Sequence, residues 1–152
     1  MTNQEAFNKV WDHFVTKRNP PSIARNPASG PYCMYRSPVG PCAVGVLIPD
    51  EIYSDSWEKS SIAQLLSGAY HDAQDLQNHF SEVSLGLLSA FQDIHDGYAA
   101  VQGANSGISY RGPASAWVRR IQDTYGRDPN FWTYFQKEMV RLASHFDLKV
   151  PA

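Results

Sequence analysis

Apolar residues recur at helical spacing along most of this chain. Phe7, Val10, Trp11 and Phe14 fall at i, i+3, i+4 and i+7, one face of a helix. Thr2 and Glu5 ahead of them have the spacing of a capping box, in which each side chain satisfies an orphan backbone donor. Asn19-Pro20-Pro21 ends the helix, because proline cannot donate the next hydrogen bond. Ser60 or Ser61 can cap a short helix through Leu66, with Gly68 where a C-terminal cap belongs. Asp72 to Phe80 reads as helical with a weak pattern. Ser84 caps a stronger helix, with Leu85, Leu88, Phe91, Gln92 and His95 on one side. Pro113 suits the first turn of another, lined by Trp117, Ile121 and Tyr125 and stopped by Gly126. Asp128-Pro129 reads as a cap, and Trp132, Phe135, Met139, Leu142 and Phe146 form the stripe of a long final helix.

The remaining segments lack this period. Residues 19–31 hold four prolines and read as an irregular loop. Tyr32 to Arg36 is β-like, and Ser37-Pro38-Val39-Gly40 is a turn. Pro41 to Ile48 is apolar, and periodicity does not decide between strand and short helix there. Residues 99–112, with glycines at 103, 107 and 112, read as a loop. The pattern predicts one mainly α (α+β) domain over 1–152. It has five or six packed helices and a small β-hairpin near residues 32–46. The first and last helices pack through Trp11, Phe14, Trp132 and Phe135.

Composition changes this picture in two ways. The 152 residues are 43% hydrophobic and 12% aromatic, enough for one core. The net charge of −2 argues against tight duplex DNA binding. That total conceals +3 over residues 1–36, −8 over 37–110 and +3 over 111–152. The longest apolar run, Ala43 to Ile48, is far short of the roughly 18 residues of a membrane span. The N-terminal residues show no secretion signal, so a cytoplasmic protein with reduced thiols is expected. A bridge between Cys33 and Cys42 across a hairpin is the oxidised alternative.

Cys33-Met34-Tyr35-Arg36, followed by Gly40-Pro41-Cys42-Ala43-Val44-Gly45-Val46-Leu47-Ile48-Pro49-Asp50-Glu51-Ile52-Tyr53, resembles the marker motif of a family of small uncharacterised phage and bacterial proteins. Its pattern is Cys-x-Tyr-Arg, a glycine turn, then Cys-Ala-Val-Gly-x-Leu-Ile-Pro-Asp-Glu-x-Tyr. Leu85 to Asp96 resembles a second block and Trp132 to Leu148 the closing helix. Residues 97–128 depart from the pattern as a loop-plus-helix insertion. The resemblance carries no established activity. It implies a phage or mobile-element setting, in which small accessory proteins act on host defences or enzymes.

Several groupings have the elements of chemistry. Cys42, His95 and Asp96 offer a thiol nucleophile, a base and an orienter. Cys42 lies in an apolar run, where a cysteine usually behaves as a small buried hydrophobe. Cys33, Cys42, His71, His79 and His95 include metal-ligand types, but no tight Cys-x2–4-Cys pair, so no metal and no cofactor is expected. Asp50 and Glu51 read as a cap and a solvated acid. Arg36 ends a short apolar strand, where its planar guanidinium suits Asp50, Asp96 or a ligand phosphate. Tyr110, Arg111, Trp117, Arg119 and Arg120 interleave arginine with aromatics, which suits phosphate pairing, base stacking or a protein interface.

The resulting expectation is a non-enzymatic phage-type accessory protein that antagonises a bacterial defence system. It would sequester a nucleotide-derived signal or bind a host defence protein, using Arg36, Tyr110, Arg111, Trp117, Arg119 and Arg120. The alternative is a small Cys/His-dependent hydrolase or transferase using Cys42, His95 and Asp96. A homo-oligomeric phage component is a third reading.

Overall fold

A computed structural model describes residues 1–26 and 30–152, apart from the side chains of 25, 26, 30–32 and 71. Residues 27–29, within the proline-rich stretch, lie outside the described residues.

Helix α1 (Asn3–Trp11) starts on the predicted capping box, with Thr2 accepting from the Glu5 N–H and Glu5 accepting from the Thr2 N–H. Its face of Phe7, Val10 and Trp11 is buried, as is Phe14 one turn on. The helix then widens into a π turn over Asp12–Thr16, where the Lys17 N–H reaches back five residues to the Asp12 carbonyl (2.9 Å). Spacing alone does not reveal such a turn, because one π turn displaces the apolar stripe by a single residue.

Two short antiparallel ladders follow. Strands β1 (Ile23–Asn26) and β2 (Gly30–Cys33) pair with Ile23 opposite Cys33. β3 (Arg36–Ser37) and β4 (Gly40–Pro41) close the tight turn at Pro38-Val39. The β3–β4 ladder is the hairpin expected near 32–46, and β1–β2 is a further one that begins at Ile23, inside a stretch read as irregular loop. Pro31 lies within β2, opposite Arg25, and Pro41 ends β4. The apolar run after Pro41 is no strand: it coils into a 3-10 turn over Gly45–Leu47. Gly45 is required there, since a Cβ would collide with the Tyr35 carbonyl.

Short helices α2 (Ile62–Leu65) and α3 (Gln74–His79) lead to the long α4 (Leu85–Asn105). Ser61 caps α2 through a capping box with Gln64, and Ser84 caps α4. α4 runs seven residues into the segment read as a loop. Gly103 is tolerated inside it because the Tyr110 hydroxyl lies where its Cβ would be. The helix ends only at Ser106, with Gly107 at positive φ behind it. α5 (Pro113–Tyr125) begins at Pro113 as predicted and lies against α4, where Trp117 and Ile121 approach Gly97. α6 (Phe131–His145) is capped by Asn130 rather than Asp128.

The molecule is thus mainly α with a small antiparallel hairpin. Phe14 sits where the first and last helices meet, its ring 4.8 Å from Phe135 and 5.6 Å from Phe131. Trp132 is peripheral, its indole N–H donating to the Asn19 carbonyl (3.1 Å). Among the described residues no helix is long and apolar enough to cross a membrane.

Candidate functional site

Strand β2 lies along α4, and this contact builds the site. It carries Cys33 to His95, 62 residues away in sequence. His95 is fully buried. The Ser22 backbone N–H donates to its Nε2 (3.0 Å), so the ring proton must sit on Nδ1. Nδ1 in turn donates to the Cys33 sulfur (3.2 Å) and faces an Asp96 carboxylate oxygen at 3.7 Å. The Cys33 thiol also shares a hydrogen bond with Asp96. The result is a chain of contacts from imidazole to thiol to carboxylate.

Its electrostatics hold the thiol protonated. Burial pushes the Cys33 thiol far above its ordinary range, and the Asp96 charge adds to the effect. Burial likewise pushes Cys42 up to about 12. Cys42 is 3% exposed and accepts a hydrogen bond from the Gly45 N–H (3.4 Å).

Beside the relay opens a cavity of about 350 Å³, lined by Cys33, Tyr35, Cys42, Gln92, Asp96 and Tyr110 among others. Most of its polar groups are already engaged with one another. The Tyr35 hydroxyl donates to the Ser60 carbonyl (2.6 Å) and accepts from the Gln92 amide (3.2 Å). Gln92 uses its oxygen on the Ile62 N–H (3.0 Å). Glu58 accepts from the Tyr35 and Arg36 N–H groups and the Tyr53 hydroxyl. Asp96, with a side chain 39% exposed, keeps acceptor capacity toward the cavity, because a carboxylate offers about four lone-pair sites. Ala99 and Ala100, one turn further along α4, keep this wall low.

The structure thus brings two of the three predicted catalytic residues together, with Cys33 rather than Cys42 touching the imidazole. Cys42 lines the same cavity from a more buried position. Of the predicted binding residues, Tyr110 reaches the cavity. Trp117 packs on α4, and Arg111, Arg119 and Arg120 are exposed, the last two on α5. Arg36 points elsewhere. It pairs with Asp50 (2.7 Å), donates to the Ile48 carbonyl (2.8 Å) and lies 4.3 Å over the Tyr53 ring.

Cys33, His95 and Asp96 place three potential metal-ligand atoms within 4.8 Å of one another. The hydrogen-bond chemistry fits an ion poorly. Coordination at Nδ1 would move the proton to Nε2, against the Ser22 N–H already pointing at it. Of the other zinc-type candidates, His79 is bonded to the Leu47 carbonyl (2.8 Å), and the His71 side chain lies outside the described residues.

Compared with protein-family models, curated proteins and solved structures, the chain matches none.

Proposed function

We propose that this protein is a non-enzymatic binding protein that captures a small polar molecule in the cavity beside Cys33, His95 and Asp96. The observation that carries the reading is the protonated relay. A thiol enzyme needs thiolate, and this site stabilises the neutral thiol from two sides. What the relay leaves for a ligand is the Asp96 carboxylate, an acceptor, with the Tyr110 ring and two alanines beside it. That combination suits a planar ligand with N–H or O–H donors, such as the base or ribose of a nucleotide-derived signal. In this proposal the resemblance to small phage proteins supplies the biological setting, antagonism of a bacterial defence in the host cytoplasm. Capture of a host defence protein by the exposed arginines of α5, and self-association, are the alternatives within the same class.

The test is equilibrium binding of guanosine and adenosine nucleotides to the wild type and to Asp96→Asn. Saturable binding weakened at least about tenfold by the substitution is expected, the scale of a hydrogen bond to a charged acceptor. Binding unaffected by it overturns the assignment of the cavity.

A second reading keeps a Cys/His hydrolase or transferase, with Cys33 as nucleophile in place of Cys42. The 3.2 Å contact between Cys33 and His95 favours it. It requires His95 to give up the Ser22 hydrogen bond so that Nδ1 becomes a base. Iodoacetamide decides: rapid single-site labelling of Cys33 near neutral pH supports the enzyme, and inertness supports the binding protein.

A further inference from the structure

We propose a second ligand site, specific for the oxyanion of a phosphate ester, in the cavity between the π turn and the β3–β4 turn. This cavity holds about 330 Å³ and is lined by His13, Arg36, Ser37, Gly40, Gly45 and Asp50 among others. It is distinct from the Cys33 cavity. Cys33, Met34 and Tyr35 line that one, and Arg36 lines this one.

Three observations point to an anion. The first is His13. The Asn19 amide nitrogen lies 3.1 Å from its Nδ1 and donates to it, which puts the ring proton on Nε2. That Nε2–H is buried and has no acceptor among the described residues. A buried donor left unpaired is costly, and such a group on a cavity wall calls for an acceptor from a ligand. The second is Arg36. Its guanidinium is held flat by the Tyr53 ring and by the Ile48 carbonyl, and two described contacts leave most of its five N–H donors free. The third is its ion-pair partner. Asp50 is 90% exposed on its side chain, so the pair is weak and the carboxylate can swing into solvent. Once Asp50 leaves, the site presents a cation and the His13 N–H, while the Ser37 hydroxyl stays on the Gly40 carbonyl (3.2 Å). A phosphate monoester brings about −1.5 to −2 of charge to this cation and donor near neutral pH, whereas a carboxylate brings a single charge.

The test is titration of the full chain with phenyl phosphate, and separately with acetate, followed by the ring nitrogen and proton signals of His13. A saturable shift of the Nε2–H signal with phenyl phosphate is expected, with acetate at least about tenfold weaker. His13→Leu should weaken phosphate binding at least about tenfold, the scale of a donor to a charged group. It should change the melting temperature little, because the loss of the Asn19 hydrogen bond is offset by removal of an unpaired buried donor. Asp50→Asn should tighten binding by up to about fivefold, the upper range of an exposed ion pair. Because Asp50 is exposed, this variant keeps the fold and tests the proposal even if His13→Leu does not fold. Absence of a saturable shift, equal affinity for acetate, or Asp50→Asn without tightening would each overturn it. Binding to the Cys33 cavity is read independently through Asp96→Asn, so neither proposal stands or falls with the other.

Discussion

His95 is the residue on which the Cys33 site turns. A single backbone N–H, from Ser22, fixes its tautomer and so decides whether the neighbouring thiol meets a donor or a base. With a donor there, and with Asp96 opposing ionisation, Cys33 is expected to resist iodoacetamide near neutral pH. Asp96→Asn removes one opposing charge and should speed labelling, although burial, the larger cause, remains. A mass-spectrometric count of labelled cysteines checks this; prompt labelling in the wild type would contradict it. His13 gives a residue-scale prediction of a different kind. Burial, then Lys17, lowers its pKa from the ordinary 6.5. The folded protein therefore binds this proton less readily than the unfolded chain does. Stability is expected to fall as pH drops below about 6.5, and His13→Leu should flatten that slope. Chemical denaturation at a series of pH values between 5 and 7.5 reads it directly.

At the scale of elements, the closest junction is between the Gly45–Leu47 turn and Tyr35. No Cβ fits at Gly45 without moving the Tyr35 carbonyl, which also accepts the Cys42 N–H (3.1 Å). Gly45→Ala is expected to cost on the order of 3 kcal/mol, the upper range for forcing atoms into a packed core. A loss under about 0.5 kcal/mol in a denaturation midpoint would show that the junction yields. Helix starts in this chain were legible in sequence wherever a local side chain satisfies the first turn. Thr2, Ser61, Ser84 and Pro113 all mark observed starts. Helix ends were harder. Gly103 has the composition of a loop, yet it lies inside α4 because Tyr110 crosses it, and only tertiary packing shows that. The β1–β2 hairpin was hidden for a related reason. Its strands are short, carry no alternation, and sit among prolines that usually punctuate loops.

Over the whole molecule, the predicted site was half legible. His95 stood out on the inner side of a helix, with Asp96 next to it in sequence. Their thiol did not, because Cys33 joins them only when β2 lies along α4, and both cysteines precede that helix at unremarkable spacing. The division of charge also takes a spatial meaning. Asp96 and Glu58, from the acidic middle of the chain, line the Cys33 cavity. Arg119 and Arg120, from the basic C-terminal third, remain on the surface of α5. A ligand of the cavity is therefore expected to bind through donor groups, and its affinity should depend little on Arg119 and Arg120. The Arg119→Ala, Arg120→Ala double variant checks this by the same titration, and a tenfold loss would move the site to α5.

Native mass spectrometry of the protein, after equilibration with a bacterial small-molecule extract, reads capture by this cavity in one spectrum. A discrete noncovalent adduct of small-molecule mass is expected on the wild type, strongly reduced on Asp96→Asn under identical conditions. A bare wild-type mass, or an adduct equally abundant on both proteins, would contradict capture by the cavity beside Cys33, His95 and Asp96.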